Sequence, residues 1–115
     1  MDCLMRRGEI YFADLSPVIG AEIGKRRPVL IVSNEANNQA ANTVTVLPIT
    51  SNISRIYPFE ISLSSKDSGL PKSSKALAQQ IRTISKERIL GRALGSLNAA
   101  LMRKASDAMR LHLDL

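Results

Sequence analysis

Arg26-Arg27-Pro28-Val29-Leu30-Ile31-Val32-Ser33 and Val44-Thr45-Val46-Leu47-Pro48-Ile49-Thr50-Ser51 are the stretches whose reading decides the fold. Both are continuous apolar runs of strand length, the first entered by guanidinium groups and the second left by hydroxyls. Paired in one small barrel, they bring Arg27 together with Thr50 or Ser51 at its rim, a geometry suited to gripping a phosphodiester. Pro28 has no N–H to give a ladder and suits the first residue of a strand, while it drives Arg27 into an extended conformation.

Outward from these runs, Gly8-Glu9-Ile10-Tyr11-Phe12-Ala13-Asp14-Leu15 is rich in aromatic and β-branched residues and is stopped by Ser16-Pro17, so it is predicted as the first strand. Residues 20 to 25 form a glycine-bounded loop. Residues 34 to 42 hold four Asn and one Gln with almost no apolar period, which predicts an exposed loop. Residues 51 to 58 are polar and turn-like, and Phe59 to Leu63 alternates as a half-buried strand does. Residues 64 to 74 are expected to be a long loop around Gly69 and Pro71. Ala76 to Ile84 and Ile89 to Leu94 are two further strands. Ser96 is placed as the cap of a closing helix from Leu97, with Leu97, Leu101, Ala105, Ala108 and His112 on one stripe. Short strands joined by turns and followed by one helix predict a mainly β fold, a small antiparallel barrel plugged by a C-terminal α-helix.

The 115 residues suffice for one core, so a single domain over 1–115 is expected. Lys plus Arg number 16 against 10 acidic residues, a formal charge of +6, which favours a polyanionic partner. Cys3 is the only cysteine, which excludes an intramolecular disulfide and a thiolate metal site, and a reducing cytoplasm is the expected setting. No run approaches the roughly 18 apolar residues of a membrane span, and no secretory signal opens the chain. The lone His112 sits near the end of the predicted helix, and no His, Cys or carboxylate group has metal-ligand spacing. Neither a metal nor a cofactor is expected. The Gly20 to Gly24 spacing fits no nucleotide-binding loop.

The order Arg-Gly-Glu-Ile-Tyr-Phe-Ala-Asp-Leu-Ser-Pro (7 to 17), Gly-Ala-Glu (20 to 22), Lys-Arg-Arg-Pro-Val-Leu-Ile-Val-Ser (25 to 33), Pro-Ile-Thr-Ser (48 to 51) and Gln-Gln-Ile-Arg-Thr-Ile (79 to 84) closely resembles the MazF/PemK/Kid toxins of bacterial toxin–antitoxin systems. The resemblance spans nearly the whole chain. It implies an SH3-like barrel forming a homodimer, a metal-independent endoribonuclease cutting single-stranded RNA at short sequences, and neutralisation by a MazE-like antitoxin.

RNA is cut without metal when its own 2′-hydroxyl attacks the adjacent phosphorus, leaving a 2′,3′-cyclic phosphate and a 5′-hydroxyl. Such a reaction needs a group to take the 2′ proton, a group to hold the extra charge and a group to protonate the departing 5′-oxygen. Arg27 matches the family's catalytic arginine; a guanidinium is too weak a base for the first task and suits the second. Thr50 matches the motif threonine, with Ser51 beside it. Glu22 lies at the family's Gly-Ser/Ala-Glu position and is the candidate base or orienting group for Arg27. Kid-like members carry an aspartate at the position of Gln79 and an arginine at that of Leu77, an acid–base pair that Gln and Leu cannot replace, so Arg27 and Thr50 are the working centre. Gln79 and Gln80 are placed among the RNA-binding residues, Gln80 as a base-edge reader or supporting group. Arg26 is the adjacent competitor of Arg27. Tyr57 and Phe59 offer rings for an unpaired base, and Arg55, Lys72, Lys75, Arg82 and Lys86 offer a basic surface for the RNA backbone. Two other classes stay open: a CcdB-like gyrase-binding toxin, although this chain lacks Trp, and a non-catalytic RNA-binding barrel.

Overall fold

The computed structural model describes residues 5–115; Cys3 lies outside them. Seven strands and three helices follow in the order β1 (Glu9–Asp14), β2 (Arg26–Ile31), α1 (Glu35–Ala40), β3 (Thr43–Thr50), β4 (Glu60–Leu63), α2 (Ser65–Ser68), β5 (Ser74–Leu77), β6 (Arg82–Ser85), β7 (Ile89–Ser96) and α3 (Ala99–Leu113). The architecture is mainly β with a C-terminal helix, as the sequence predicts.

The two deciding runs pair antiparallel, with Val29 opposite Pro48, Leu30 opposite Leu47 and Ile31 opposite Val46. Their unbroken apolar character follows from burial on both faces. Leu30, Leu47 and Ile49 join Ile10, Ile61, Leu63, Ala105 and Ala108 in the core beneath α3. Val29, Ile31, Val44 and Val46 project the other way, into a second cluster with Tyr11, Leu15 and Ile84. The sheet runs β4-β5-β3-β2-β1-β7, and β6 also pairs with β3. Among the described residues no ladder joins β4 to β7, so the expected barrel is not closed by hydrogen bonds. Instead α2, which follows β4, is pressed onto β7. A Cβ added at Gly95 would stand 2.0 Å from the Ser68 carbonyl oxygen, so only glycine fits there.

Four local expectations need correction. The Asn-rich segment 34 to 42 contains α1, because the Asn34 side chain accepts from the Asn37 N–H and caps it; Asn38 is fully buried and donates to the Ser33 carbonyl. The loop 64 to 74 contains α2, capped by Ser64 and ended by Gly69 at φ 77°. The strand expected over 76 to 84 is two strands along one edge of β3, parted by a 3₁₀ turn over Ala78–Gln80. The cap of α3 is Asn98, not Ser96. Ser96 is claimed by β7, where it pairs with Glu9. Along α3, Ala105 and Ala108 are buried and Leu101 half-buried, as the stripe predicts, but His112 is exposed. No helix of the described residues is long and apolar enough to cross a membrane.

Candidate functional site

The antiparallel pairing of β2 with β3 sets the start of one run beside the end of the other. Arg27 is the second residue of β2 and Thr50 the last of β3. Both line one open cavity of about 750 Å³, together with Ser51. Lys25, Arg26 and Lys72 border the same cavity, and among the described residues no carboxylate does. Its apolar wall includes Phe12, Leu70 and Leu94. Four cations over an apolar floor attract a phosphate flanked by nucleosides.

Arg27 is held before any ligand arrives. Its Nε donates to the Gly24 carbonyl at 2.7 Å and its Nη1 to the Ile49 carbonyl at 3.4 Å, which leaves the rest of the fork for an anion. Partial burial draws its guanidinium below its ordinary value. A guanidinium stays protonated at neutral pH, so Arg27 serves as a charge and not as a base. The Thr50 oxygen accepts from the Asn52 N–H at 3.2 Å, so its own proton remains available to donate. Lys25 adopts φ 69°, a conformation most side chains avoid, at the point where the loop 16 to 25 enters the site. Its N–H is fixed there by the Ser16 hydroxyl at 3.0 Å.

Thr50 also borders a second cleft of about 360 Å³, lined by Arg55, Tyr57, Glu60, Lys75 and Gln79. The rings expected to meet RNA form a stack at its edge: Tyr57, which lines the cleft, and Phe59 behind it lie 5.3 Å apart and nearly parallel, and the Arg55 guanidinium sits 4.7 Å from the Tyr57 centroid. Lys75, expected on the exposed basic surface, is instead buried against Glu60 at 2.9 Å. Desolvation pushes the Glu60 carboxyl up, but hydrogen bonds from the Tyr57 N–H, Lys75 and Gln79, with the Lys75 charge, outweigh it and hold Glu60 below the usual carboxylate range.

Glu22 does not border the cavity of Arg27. It lines a third cleft of about 320 Å³ with Gln79, Gln80 and Arg82, and its carboxylate accepts from the Ile19 N–H. The orienting partners of Arg27 are backbone carbonyls instead. Gln80, expected as a base-edge reader or a supporting group, ties the loop 16 to 25: it accepts from the Ile23 N–H and donates to the Ala21 carbonyl. Arg82 donates to the Leu15 carbonyl and Lys86 to the Asn38 carbonyl, so both are committed to structure. Arg26 is exposed and loosely paired with Asp14 at 3.9 Å. Among the described residues, no three of His, Cys, Asp or Glu are grouped as metal ligands.

Sequence reasoning passed over Phe12 and the Glu60–Lys75 pair. Phe12 was legible, since a hairpin of β1 with β2 sets it opposite Pro28, beside Arg27. Glu60 was hidden by its alternating strand, which reads as solvent-facing at that position.

Residues 6–113 match the family model described as PemK-like, MazF-like toxin of type II toxin–antitoxin system. The chain is 44% identical to Endoribonuclease MazF9 of Mycobacterium tuberculosis (strain ATCC 25618 / H37Rv), covering 97% of this chain and 98% of that one. Among solved structures, MazF (Form-I) from Deinococcus radiodurans superposes with a TM-score of 0.85 at 25% identity, over 99% of this chain and 100% of that one. A mycobacterial endoribonuclease in complex with its cognate antitoxin superposes with a TM-score of 0.79 at 29% identity, over 96% of each chain.

Proposed function

Since this chain belongs to the PemK-like, MazF-like toxin family of type II toxin–antitoxin systems, we propose that it is a toxin that cuts single-stranded RNA without a metal ion, with Arg27 and Thr50 as its catalytic pair. The observation that carries this is the shared cavity of Arg27 and Thr50, bordered among the described residues by four cations and no carboxylate. In the reaction the 2′-oxygen bonds to phosphorus while the bond to the next nucleotide's 5′-oxygen breaks. The 2′ proton passes to solvent and the 5′-oxygen takes one from solvent, so the ends are a 2′,3′-cyclic phosphate and a 5′-hydroxyl. Arg27 faces the phosphate oxygens with the free part of its fork, where charge grows as the five-bonded phosphorus forms. The Thr50 hydroxyl donates to the same group from the opposite strand. Ser51, Arg26 and Lys72 guide the flanking phosphates.

Tyr57, which shares the second cleft with Thr50, and Phe59 stacked on it serve an unpaired base. The half-buried Gln79, Gln80 and Arg82 shape the third cleft, with Glu22 at its mouth. The relation to an endoribonuclease that has a cognate antitoxin supports an acidic, MazE-like antitoxin as partner, competing with RNA for the cationic cavity. We read the chain as one toxin domain that works as a homodimer in the cytoplasm. The test is incubation of the purified protein with single-stranded RNA in EDTA. Fragments with cyclic-phosphate ends are expected; RNA that is bound yet left whole, or cut only when a divalent metal is added, contradicts the reading.

A further inference from the structure

The Arg55–Tyr57–Phe59 stack stands on a segment without regular structure, yet its rings are fixed in one arrangement. The groups that fix it lie outside the catalytic cavity. Glu60 opens β4 and is 8% exposed. Its Oε1 accepts from the Tyr57 backbone N–H at 2.9 Å and from Lys75 Nζ at 2.9 Å, and its Oε2 accepts from Gln79 Nε2 at 2.6 Å. Lys75 Nζ also donates to the Arg55 carbonyl at 2.6 Å. Two backbone points, at residues 55 and 57, are therefore pinned from β4 and β5, and they carry two of the three stacking side chains; Phe59 is tied separately, its carbonyl accepting from the Ala78 N–H at 3.3 Å.

A buried ion pair is a poor source of stability, because desolvating two charges offsets most of their attraction and an apolar pair of like volume often serves as well. What an apolar pair cannot do is hold the Tyr57 N–H and the Arg55 carbonyl. We propose that Glu60, with Lys75 and Gln79, is a positioning residue that presets the Arg55–Tyr57–Phe59 stack to receive an unpaired RNA base next to the cut phosphate. This rests on the ribonuclease reading above. A ring and a guanidinium plane are the two surfaces on which unpaired bases stack, and presetting them removes an ordering cost from binding. Thr50 does not depend on the cluster in the same way. Its backbone is paired with that of Lys75 in the β3–β5 ladder, whatever the Lys75 side chain does. Loss of the cluster therefore weakens RNA binding and spares the chemical step.

Two variants test this. Glu60→Leu/Lys75→Met removes both charges together and keeps the volume, whereas Glu60→Gln keeps an acceptor for Tyr57 and Lys75. In the second, the Gln79 amide can turn so that its Oε1, unpartnered and buried in the parent, accepts from the introduced amide. The probe is a single-stranded RNA made uncleavable by a 2′-deoxy substitution at the mapped cut site. The double variant is expected to bind it about tenfold more weakly, to cut normal RNA at saturation within about threefold of the parent rate, and to exchange its Tyr57 amide at least about tenfold faster. Glu60→Gln restores affinity to within about threefold of the parent. Gln79→Met leaves both charges paired and serves if the double variant fails to fold; it is expected to weaken binding about threefold. Unchanged affinity in every folded variant, or a fall in saturating rate with affinity intact, overturns the positioning role. Failure of the parent to cut RNA overturns the ribonuclease reading instead, and with it the purpose assigned to the stack.

Discussion

Replacing Thr50 by valine removes one hydroxyl and nearly nothing else. The position is half-buried at the end of β3, and valine keeps its branched shape. The lost oxygen accepts only from the Asn52 N–H, at 3.2 Å, in an exposed turn where water can take its place. The cost to folding is therefore about 0.5–1 kcal/mol. The cost to the reaction is expected to be larger, because in the proposed mechanism the hydroxyl donates to the oxygens that gain charge. Loss of one such donor slows catalysis by about 10²–10³-fold, or about 2.7–4 kcal/mol of barrier. Single-turnover cleavage at saturating RNA measures this, with binding to a 2′-deoxy RNA measured alongside. The expected result is a rate lowered at least about 100-fold with affinity within about threefold. A rate near the parent's, or a loss carried wholly by affinity, refutes the role given to Thr50.

Glu22→Gln is expected to leave the saturating rate within about threefold, because Glu22 lies outside the cavity of Arg27; a loss beyond about 100-fold, with a flattened pH–rate profile, would make it the base after all. Glu60 is held below the usual carboxylate range, so its contribution to stability is complete above the unfolded value of about 4.3 and is lost as pH falls through its folded value. Lys75 faces it from β5, and Lys104 and Asp107 of α3 share its outer cleft. The gap in urea midpoint between the parent and Glu60→Gln is accordingly expected to shrink from pH 7 to pH 3; a constant gap contradicts this. Gly95→Ala drives a methyl group to 2.0 Å from the Ser68 carbonyl and is expected to cost about 2 kcal/mol in urea unfolding, where less than about 0.5 kcal/mol would show that α2 yields freely.

The two apolar runs carried most of the fold because burial on both faces leaves no polar alternation to misread. They also carried the site, since antiparallel pairing alone sets Arg27 near Thr50. Residues 34 to 42 were misread because helix α1 is held by its cap and by buried Asn38, not by an apolar stripe. The fates of Arg82 and Lys75, and the loop contacts of Gln80, were not legible either. Each is spent on a backbone carbonyl or carboxylate brought from far along the chain, and a side chain's partner at that separation leaves no local pattern. The placement of Glu22 was not legible for the same reason: nearness in sequence to Arg27 did not carry it into the same cavity.

The central claim is that Arg27 bears the charge of the reacting phosphate. Cleavage of saturating single-stranded RNA by Arg27→Ala in EDTA, with circular dichroism as the check on folding, tests it most directly. A folded variant that still binds RNA but cuts it at least about 1,000-fold more slowly is the expected result. Turnover close to that of the parent, with the same cyclic-phosphate ends, would contradict the account.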